Sequence, residues 1–142
     1  MKLLKQTSDY NCGVYALHHL LYLNGFHINP IILEQQLGTD KDNGTSHKQI
    51  IEWLNRYGPT NISYGYGGSI YSHRLITPIL VNYQYCDEDG CDGHYGVIIN
   101  ITWDDVVLYN PATGELETMD KNYFESVWYS DRYGKRFYLR IH

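Results

Sequence analysis

The spacing of apolar residues in this chain changes from a helical to a strand pattern at Gly58-Pro59. Before this point, apolar residues recur every three or four positions, which predicts helices. They cover about 11–23, 30–37 and a third stretch that begins behind Thr45 or Ser46. After it, β-branched and aromatic residues lie between turn residues, which predicts strands. The main predicted strands are 79–84, 94–101, 106–109, 115–118 and 135–141, with a short helix behind Asp120. Helices followed by strands are typical of an α+β fold.

Cys12 lies in the first turn of the first predicted helix, directly after Asn11. Asparagine is a favourable N-cap residue, so we expect the helix to begin here. The N–H groups and the positive dipole end of a helix N-terminus stabilise an anion. We therefore expect a lowered pKa for the Cys12 thiol, which would make it a nucleophile. The alternative is a small buried apolar residue, since unpaired cysteines are often buried.

Two downstream residues favour a chemical role for Cys12. His94 opens an apolar strand, and Asn110 ends the next strand before a proline. A cysteine at a helix start, with a histidine and an asparagine from elsewhere in the fold, is the arrangement of papain-like enzymes. The chain order predicted here is Cys12, His94, Asn110.

The chain resembles the papain-like cysteine peptidases that process bacteriocin leaders at a double glycine. Four stretches carry the resemblance, and they occur in the family's order. They are Gln6 with 11–17 and Gly25, then 44–46 before a helix, then His94, and finally 110–114 followed by Phe124 and Trp128. The resemblance implies a papain-like α+β fold, in which a helical lobe with the nucleophilic cysteine packs on an antiparallel sheet lobe with the histidine.

The resemblance also implies a role for each polar residue of the site. Cys12 is the nucleophile, His94 the general base and acid, Asn110 the residue that orients His94, and Gln6 a side-chain donor in the oxyanion hole. The family usually has aspartate at the position of Asn110, and we expect an Asn110→Asp variant to stay active. The predicted substrate-binding residues adjoin Cys12 and His94, and they are Gly13, Gly93 and Tyr95.

The other two of the three cysteines, Cys86 and Cys91, flank an acidic segment shortly before His94. We expect two ordinary loop thiols, with a disulfide between them as an alternative. A zinc site is less favoured because no second pair of ligands is present, and the calcium-loop pattern fails. We therefore predict no metal and no cofactor. The cleft that carries the site is expected between the two predicted lobes. Four carboxylates in the acidic segment suggest that basic peptides are attracted to its rim; they are Asp87, Glu88, Asp89 and Asp92.

Length and charge limit the class of protein. The chain has 142 residues, which suggests one domain over 1–142. Its net charge of −5 argues against nucleic-acid binding, which requires a basic face. No signal peptide is recognisable, and no apolar run reaches the roughly 18 residues of a membrane span. We therefore expect a cytoplasmic protein, and the sequence does not indicate its oligomeric state.

The sequence thus predicts a cysteine peptidase that hydrolyses a peptide bond after a small, glycine-like segment, through a thioester. Its expected partner is a peptide or protein substrate, which could carry a Gly-Gly motif. Three alternatives stay open: a Cys-His-Asn acyl or amine transferase, isopeptide cleavage after a Gly-Gly tail, and a peptide-binding module of the same fold with weak catalysis. The relatives usually form the N-terminal domain of a peptide-exporting ABC transporter, whereas we expect a freestanding domain here.

Overall fold

The structure is a computed structural model, and it describes residues 3–72, 75–88, 90–130 and 134–142. The helices are α1 (Cys12–Leu23), α2 (Pro30–Leu37), α3 (His47–Tyr57) and α4 (Lys121–Val127). The strands are β1 (Ile62–Gly65), β2 (Ile79–Asp87), β3 (Gly90–Ile101), β4 (Asp105–Asn110), β5 (Glu115–Asp120), β6 (Tyr129–Ser130), β7 (Gly134–Lys135) and β8 (Tyr138–Ile141).

Six strands form one antiparallel sheet in the order β1-β8-β2-β3-β4-β5, and β6 pairs with β7 separately. β2 and β3 form the central hairpin, with Ile79 opposite Ile98 and Asp87 opposite Gly90. The prediction of an acidic loop between them is wrong, because the two strands stay paired as far as Asp87 and Gly90. The predicted strand 135–141 is also divided, since β7 ends before β8 begins.

Local sequence explains where α2 and α3 begin. Ser46 caps α3 by accepting a hydrogen bond from the backbone N–H of Gln49, whose side chain accepts one from the Ser46 N–H in return. This reciprocal pair is a capping box. Asn29 caps α2 by accepting from the Ile31 N–H, and Pro30 occupies the first helical position, where no N–H is needed.

Asn11 occupies the N-cap position of α1, as predicted, although its side chain makes no capping hydrogen bond. Its side chain has other partners. Nδ2 donates to Thr7 Oγ1 at 2.9 Å and to Glu34 Oε1 at 2.8 Å, and Oδ1 accepts from the Ser8 N–H. Asn11 therefore ties the segment that precedes Cys12 to α2.

The sheet separates two hydrophobic clusters. Leu80 and Val97 belong to the cluster formed with α1, α2 and α3, whereas their neighbours Val81 and Ile98 belong to the cluster that contains Phe124 of α4. Successive side chains of a strand point to opposite faces, which explains this division. The helices thus cover both faces of the sheet.

α1 is buried on nearly every side. Its side chains Val14, Leu17, Leu20 and Leu21 are each 0% exposed. Burial of one such leucine stabilises the fold by about 1.5–3 kcal/mol. α1 packs mainly on β3, so the helix that begins with Cys12 lies against the strand that carries His94.

Candidate active site

A cavity of about 290 Å³ contains the two side chains to which the sequence assigns chemistry, Cys12 and His94. A second cavity, of about 280 Å³, shares Cys12 and Gly93 with it, so Cys12 lies where the two meet. A larger cavity of about 810 Å³ lies elsewhere, between Tyr71 and Trp103. None of the described residues that line the larger cavity is a cysteine or histidine, so we place the candidate active site in the smaller ones.

Asn110 fixes His94 through a buried hydrogen bond. Asn110 ends β4 and is 0% exposed, and His94 on the neighbouring β3 is 5% exposed. The distance between His94 Nε2 and Asn110 Oδ1 is 2.7 Å. The antiparallel pairing of β3 with β4 thus brings together the predicted histidine and asparagine.

The direction of this hydrogen bond follows from the other contacts of Asn110. Its Oδ1 accepts from the Ala112 N–H at 2.9 Å, and its Nδ2 donates to Glu117 Oε1 at 2.8 Å. A carboxylate only accepts and a backbone N–H only donates, so the amide has one consistent orientation. Oδ1 can only accept, and therefore His94 Nε2 carries the hydrogen. In a neutral imidazole this leaves Nδ1 as the acceptor, which is the form that a general base needs.

Aromatic residues of β2 enclose the His94 ring. Tyr85 stacks on it with 4.7 Å between ring centroids, and Tyr83, opposite His94 in the register, meets it edge-on at 5.6 Å. Burial lowers the pKa of His94 to about 4, while the hydrogen bond to Asn110 and two nearby carboxylates act in the opposite direction. At pH 7 the imidazole is therefore neutral.

Cys12 is the first residue of α1 and is half-buried. Burial raises the pKa of its thiol to about 11, because the thiolate would lose hydration. The backbone N–H groups of Tyr95 and Gly13 lower this pKa without offsetting the rise, and the Asp92 carboxylate raises it further. The predicted lowering of the thiol pKa is therefore wrong, since desolvation exceeds the effect of the helix N-terminus. Cys12 must lose its proton as it reacts.

Gln6 lines the same cavity, and its amide is partly engaged. Its backbone N–H donates to the Pro111 carbonyl at 2.8 Å, which ties the N-terminal segment to the end of β4. Its side-chain Nε2 donates to the Ser8 carbonyl, also at 2.8 Å. An amide NH₂ group has two hydrogens, so one of them remains for another acceptor.

The sequence of residues 1–131 matches the model of the peptidase C39 family. This chain belongs to the peptidase C39 family. The comparison with curated protein sequences gives no match.

Two solved structures are similar to this C39 chain over nearly its whole length. The first is the peptidase domain of Streptococcus ComA, a bi-functional ABC transporter involved in a quorum sensing pathway. It is 17% identical, with a TM-score of 0.73, and the match covers 97% of this chain and 95% of that one. The second is a double glycine motif protease from an AMS/PCAT transporter in complex with the leader peptide. It is 15% identical, with a TM-score of 0.72 and coverage of 97% and 88%.

These likenesses confirm the predicted papain-like α+β fold of the C39 chain. The helical part carries Cys12, and the antiparallel sheet packed on it carries His94. None of the described helices has the length and apolar character to cross a membrane.

The three predicted substrate-binding residues have different surroundings in the C39 fold. Gly93 lines both cavities. Gly13 is buried, and a Cβ there would lie 2.9 Å from Thr45 Cβ and 3.0 Å from Tyr95 Cδ2, so close packing already explains the glycine. Tyr95 lines the second cavity, but it is only 3% exposed and its hydroxyl is hydrogen-bonded to His47. Substrate contact at these positions stays a prediction.

Cys86 and Cys91 form a disulfide. They are directly opposite each other in the β2–β3 register, with 4.0 Å between their Cα atoms. The preferred prediction of two loop thiols is wrong, because the strands continue through this segment and place the residues side by side. The bond closes the hairpin end near His94, and Cys91 lines the cavity. Disulfides are uncommon in cytosolic proteins, so the pairing does not favour the predicted cytoplasmic location.

The acidic segment lies at the rim of the site. Asp87 and Asp92 line the first cavity, and both are exposed. Glu88 is also exposed, while Asp89 lies outside the described residues. Among the described residues, no group of three or more His, Cys, Asp or Glu side chains could hold a metal ion.

The sequence reasoning missed Glu117, which hydrogen-bonds Asn110 from β5. Its only sequence signal is the alternation of β5, which places Glu115 and Glu117 on one face of the strand. Strand alternation does not say which face meets Asn110, so the contact depends on the register of β4 with β5.

Proposed function

We propose that this C39 family member is a cysteine peptidase in which Cys12 is the nucleophile, His94 the general base and acid, and Asn110 the residue that orients His94. The observation that carries the proposal is the hydrogen bond between His94 Nε2 and Asn110 Oδ1. It leaves Nδ1 as the acceptor of an imidazole that lines one cavity with the Cys12 thiol. Geometry of this kind is what a nucleophile and its base require.

In the first step, His94 Nδ1 takes the thiol proton as Cys12 Sγ bonds to the carbonyl carbon of the substrate. Both groups start neutral, because burial raises the pKa of Cys12 to about 11 and lowers that of His94 to about 4. Proton transfer therefore accompanies attack. The negative charge moves to the carbonyl oxygen, near the Cys12 N–H and the second amide hydrogen of Gln6. Loss of one such donor typically costs about 100–1000-fold in rate.

In the second step, the tetrahedral intermediate collapses and the carbon–nitrogen bond breaks. His94 gives its proton to the leaving amine, and the acyl group stays on Cys12 as a thioester. Water then attacks the thioester, and His94 Nδ1 takes a proton from it. The carbon–sulfur bond breaks, the proton returns to sulfur, and the product carboxylic acid leaves.

The proposed substrate is a peptide cut after a small, glycine-like segment. Two observations support a peptide: membership of a peptidase family and similarity to a protease that was solved with a leader peptide. Two cavities meet at Cys12, and an extended chain requires room on both sides of the bond that is cut. A double-glycine leader is therefore the first substrate class to test.

The test is cleavage of leader peptides that end in Gly-Gly and are followed by a cargo segment. We expect cleavage after the second glycine by the wild type, and at least a 1000-fold lower rate for Cys12→Ser or His94→Ala. A matched peptide with Ala-Ala in place of Gly-Gly should be cut more slowly. A peptide chloromethyl ketone ending in Gly-Gly should label Cys12 in the wild type. Absence of both cleavage and labelling would contradict the proposal.

A second candidate function is peptide binding with weak catalysis. The specific observation in its favour is that both reacting groups are neutral at pH 7, with a thiol that is harder to ionise than usual. A binding module would hold a Gly-Gly peptide equally well in wild type and Cys12→Ser, with no thioester detected by mass spectrometry. A transferase would release the acyl group to an added amine faster than to water.

A further inference from the structure

Glu117 contacts the candidate active site although it lies on β5, an outer strand of the sheet. The register places Asn110 opposite Glu115 and Leu108 opposite Glu117. Asn110 and Glu117 are therefore diagonal neighbours on one face, a separation that long side chains can span. Glu117 is half-buried, and its Oε1 lies 2.8 Å from Asn110 Nδ2.

This contact keeps the Asn110 amide in the orientation that His94 needs. A flipped amide would present Nδ2 to His94 and would place Oδ1 against the Glu117 carboxylate, so that two acceptors would face each other. The Ala112 N–H, which now donates to Oδ1, would also lose its acceptor. A hydrogen bond to a carboxylate is roughly twice as strong as a neutral one, so Glu117 is the stronger of the two restraints.

Glu117 also brings negative charge to the Asn110 amide. The pKa of Tyr83 is raised well above its usual range, first by burial and next by the Glu117 carboxylate. Tyr83 meets the His94 ring edge-on. Neither of the two ion pairs between described residues involves Glu117. Because linked hydrogen bonds polarise one another, this charge makes the Asn110 carbonyl a better acceptor for His94.

We propose that Glu117 is a positioning residue for the catalytic imidazole, which holds Asn110 so that His94 carries its hydrogen on Nε2 and accepts the Cys12 proton on Nδ1. The inference rests on the proposed function, because it concerns the proton transfer between Cys12 and His94. Glu117 acts through Asn110 and does not touch the reacting atoms. Glu117 thus joins Cys12, His94 and Asn110 as a fourth member of the proposed hydrogen-bonded set, and it is the only charged member.

The first test removes the charge and keeps the size. In Glu117→Gln the side chain can present either an oxygen or an NH₂ group to Asn110, so the amide orientation is no longer enforced. We expect kcat for a cleaved leader peptide to fall about tenfold, which corresponds to one hydrogen bond. Glu115→Gln is the matched control, since it makes the same change on the exposed glutamate of the same strand, and its kcat should equal that of the wild type.

The second test exchanges the hydrogen-bond donor and acceptor between positions 110 and 117. Asn110→Asp alone places a second carboxylate against Glu117, and the two must share a proton, so we expect lower activity than the sequence predicts for this variant. In the double variant Asn110→Asp/Glu117→Gln, the glutamine at position 117 can donate to the new carboxylate at position 110. That carboxylate can at the same time accept a hydrogen bond from His94. We expect the double variant to recover to within about threefold of wild type. A double variant no better than the weaker single variant would overturn the proposal.

A third measurement does not depend on activity. The ¹⁵N NMR signals of His94 should show hydrogen on Nε2 in the wild type and a mixture of tautomers in Glu117→Gln. An unchanged tautomer in Glu117→Gln, with unchanged kcat, would overturn the role of Glu117. If the wild type instead cleaves no peptide and forms no acyl-enzyme, the proposed function fails, and the NMR result still decides whether Glu117 positions His94.

Discussion

The Tyr95 hydroxyl lies 2.5 Å from His47 Nδ1, which joins the strand that carries His94 to the first turn of α3. Both side chains are buried, and the His47 ring stacks on Phe137 with 3.8 Å between centroids. The Tyr95 backbone N–H favours the Cys12 thiolate. The residue next to His94 is therefore held from the opposite face of the sheet.

Replacing Tyr95 by phenylalanine should destabilise the fold. The change removes a buried hydrogen-bond partner of His47, and such losses cost about 1–3 kcal/mol in the free energy of unfolding. Urea unfolding measures the effect. Tyr64→Phe is the control, because Tyr64 is 50% exposed and its variant should lie within about 0.5 kcal/mol of wild type. Equal losses in the two variants would mean that the Tyr95–His47 bond contributes nothing specific.

Alkylation of Cys12 by iodoacetamide should accelerate up to high pH. Burial raises the pKa of its thiol to about 11, so the thiolate that reacts is scarce at neutral pH. Mass spectrometry should find one alkylated cysteine per folded chain without reductant, since Cys86 and Cys91 are bonded to each other. Asp92→Asn should shift the profile to lower pH, because the Asp92 carboxylate raises the thiol pKa.

The opposite result would be an alkylation rate of Cys12 that already reaches a plateau below pH 7 in the wild type and has no such plateau in His94→Ala. It would show that Cys12 and His94 form a thiolate–imidazolium pair before substrate binds, in contradiction to the neutral pair derived from their burial.

The fold should lose stability as the pH falls from about 6.5 to about 4. Burial lowers the pKa of His19, His47 and His94 to about 4 from the usual 6.5. The unfolded chain binds these three protons in this window and the folded chain does not, so stability rises with pH there. The slope of the free energy of unfolding should be positive in this window, at up to about 1.4 kcal/mol per pH unit for each such histidine. Denaturant unfolding between pH 4.5 and 7 measures it.

A matched variant checks the origin of this slope. His19→Gln cannot take up a proton in this range, so its slope should be smaller than that of wild type. A stability that does not change between pH 5 and 7 would contradict the assignment of three neutral, buried histidines.

Removing the disulfide should destabilise the central hairpin. Cys86 and Cys91 are separated by five positions in the sequence, and closing so short a loop in the unfolded chain is worth about 2 kcal/mol in the chain-entropy model. The double variant Cys86→Ser/Cys91→Ser should therefore unfold at lower urea concentration than the oxidised wild type. Reductant should shift the wild type toward the variant and leave the variant unchanged. Identical midpoints in all samples would contradict the structural role of the bond.

Local patterns in the sequence determine the helices, most strands and the candidates for chemistry. The period of apolar residues depends only on near neighbours, so α1, α2, α3 and the α+β order could be predicted. Cys12 begins α1 and Asn110 ends β4, as predicted, whereas His94 lies within β3, which begins four residues before it. That these three residues come together could be inferred from their order in the chain and from the resemblance. Gln6 also lines the cavity that contains Cys12 and His94.

The tertiary structure decided what depends on register and burial. The register of β2 with β3 sets Cys86 against Cys91, and that of β4 with β5 sets Glu117 diagonally to Asn110. Strand alternation alone does not fix either pairing. The thiol pKa of Cys12 was predicted in the wrong direction, because a helix N-terminus is a local feature, whereas loss of hydration comes from residues distant in the chain. The sequence thus determined which side chains are available for chemistry, and packing determined their protonation and their partners.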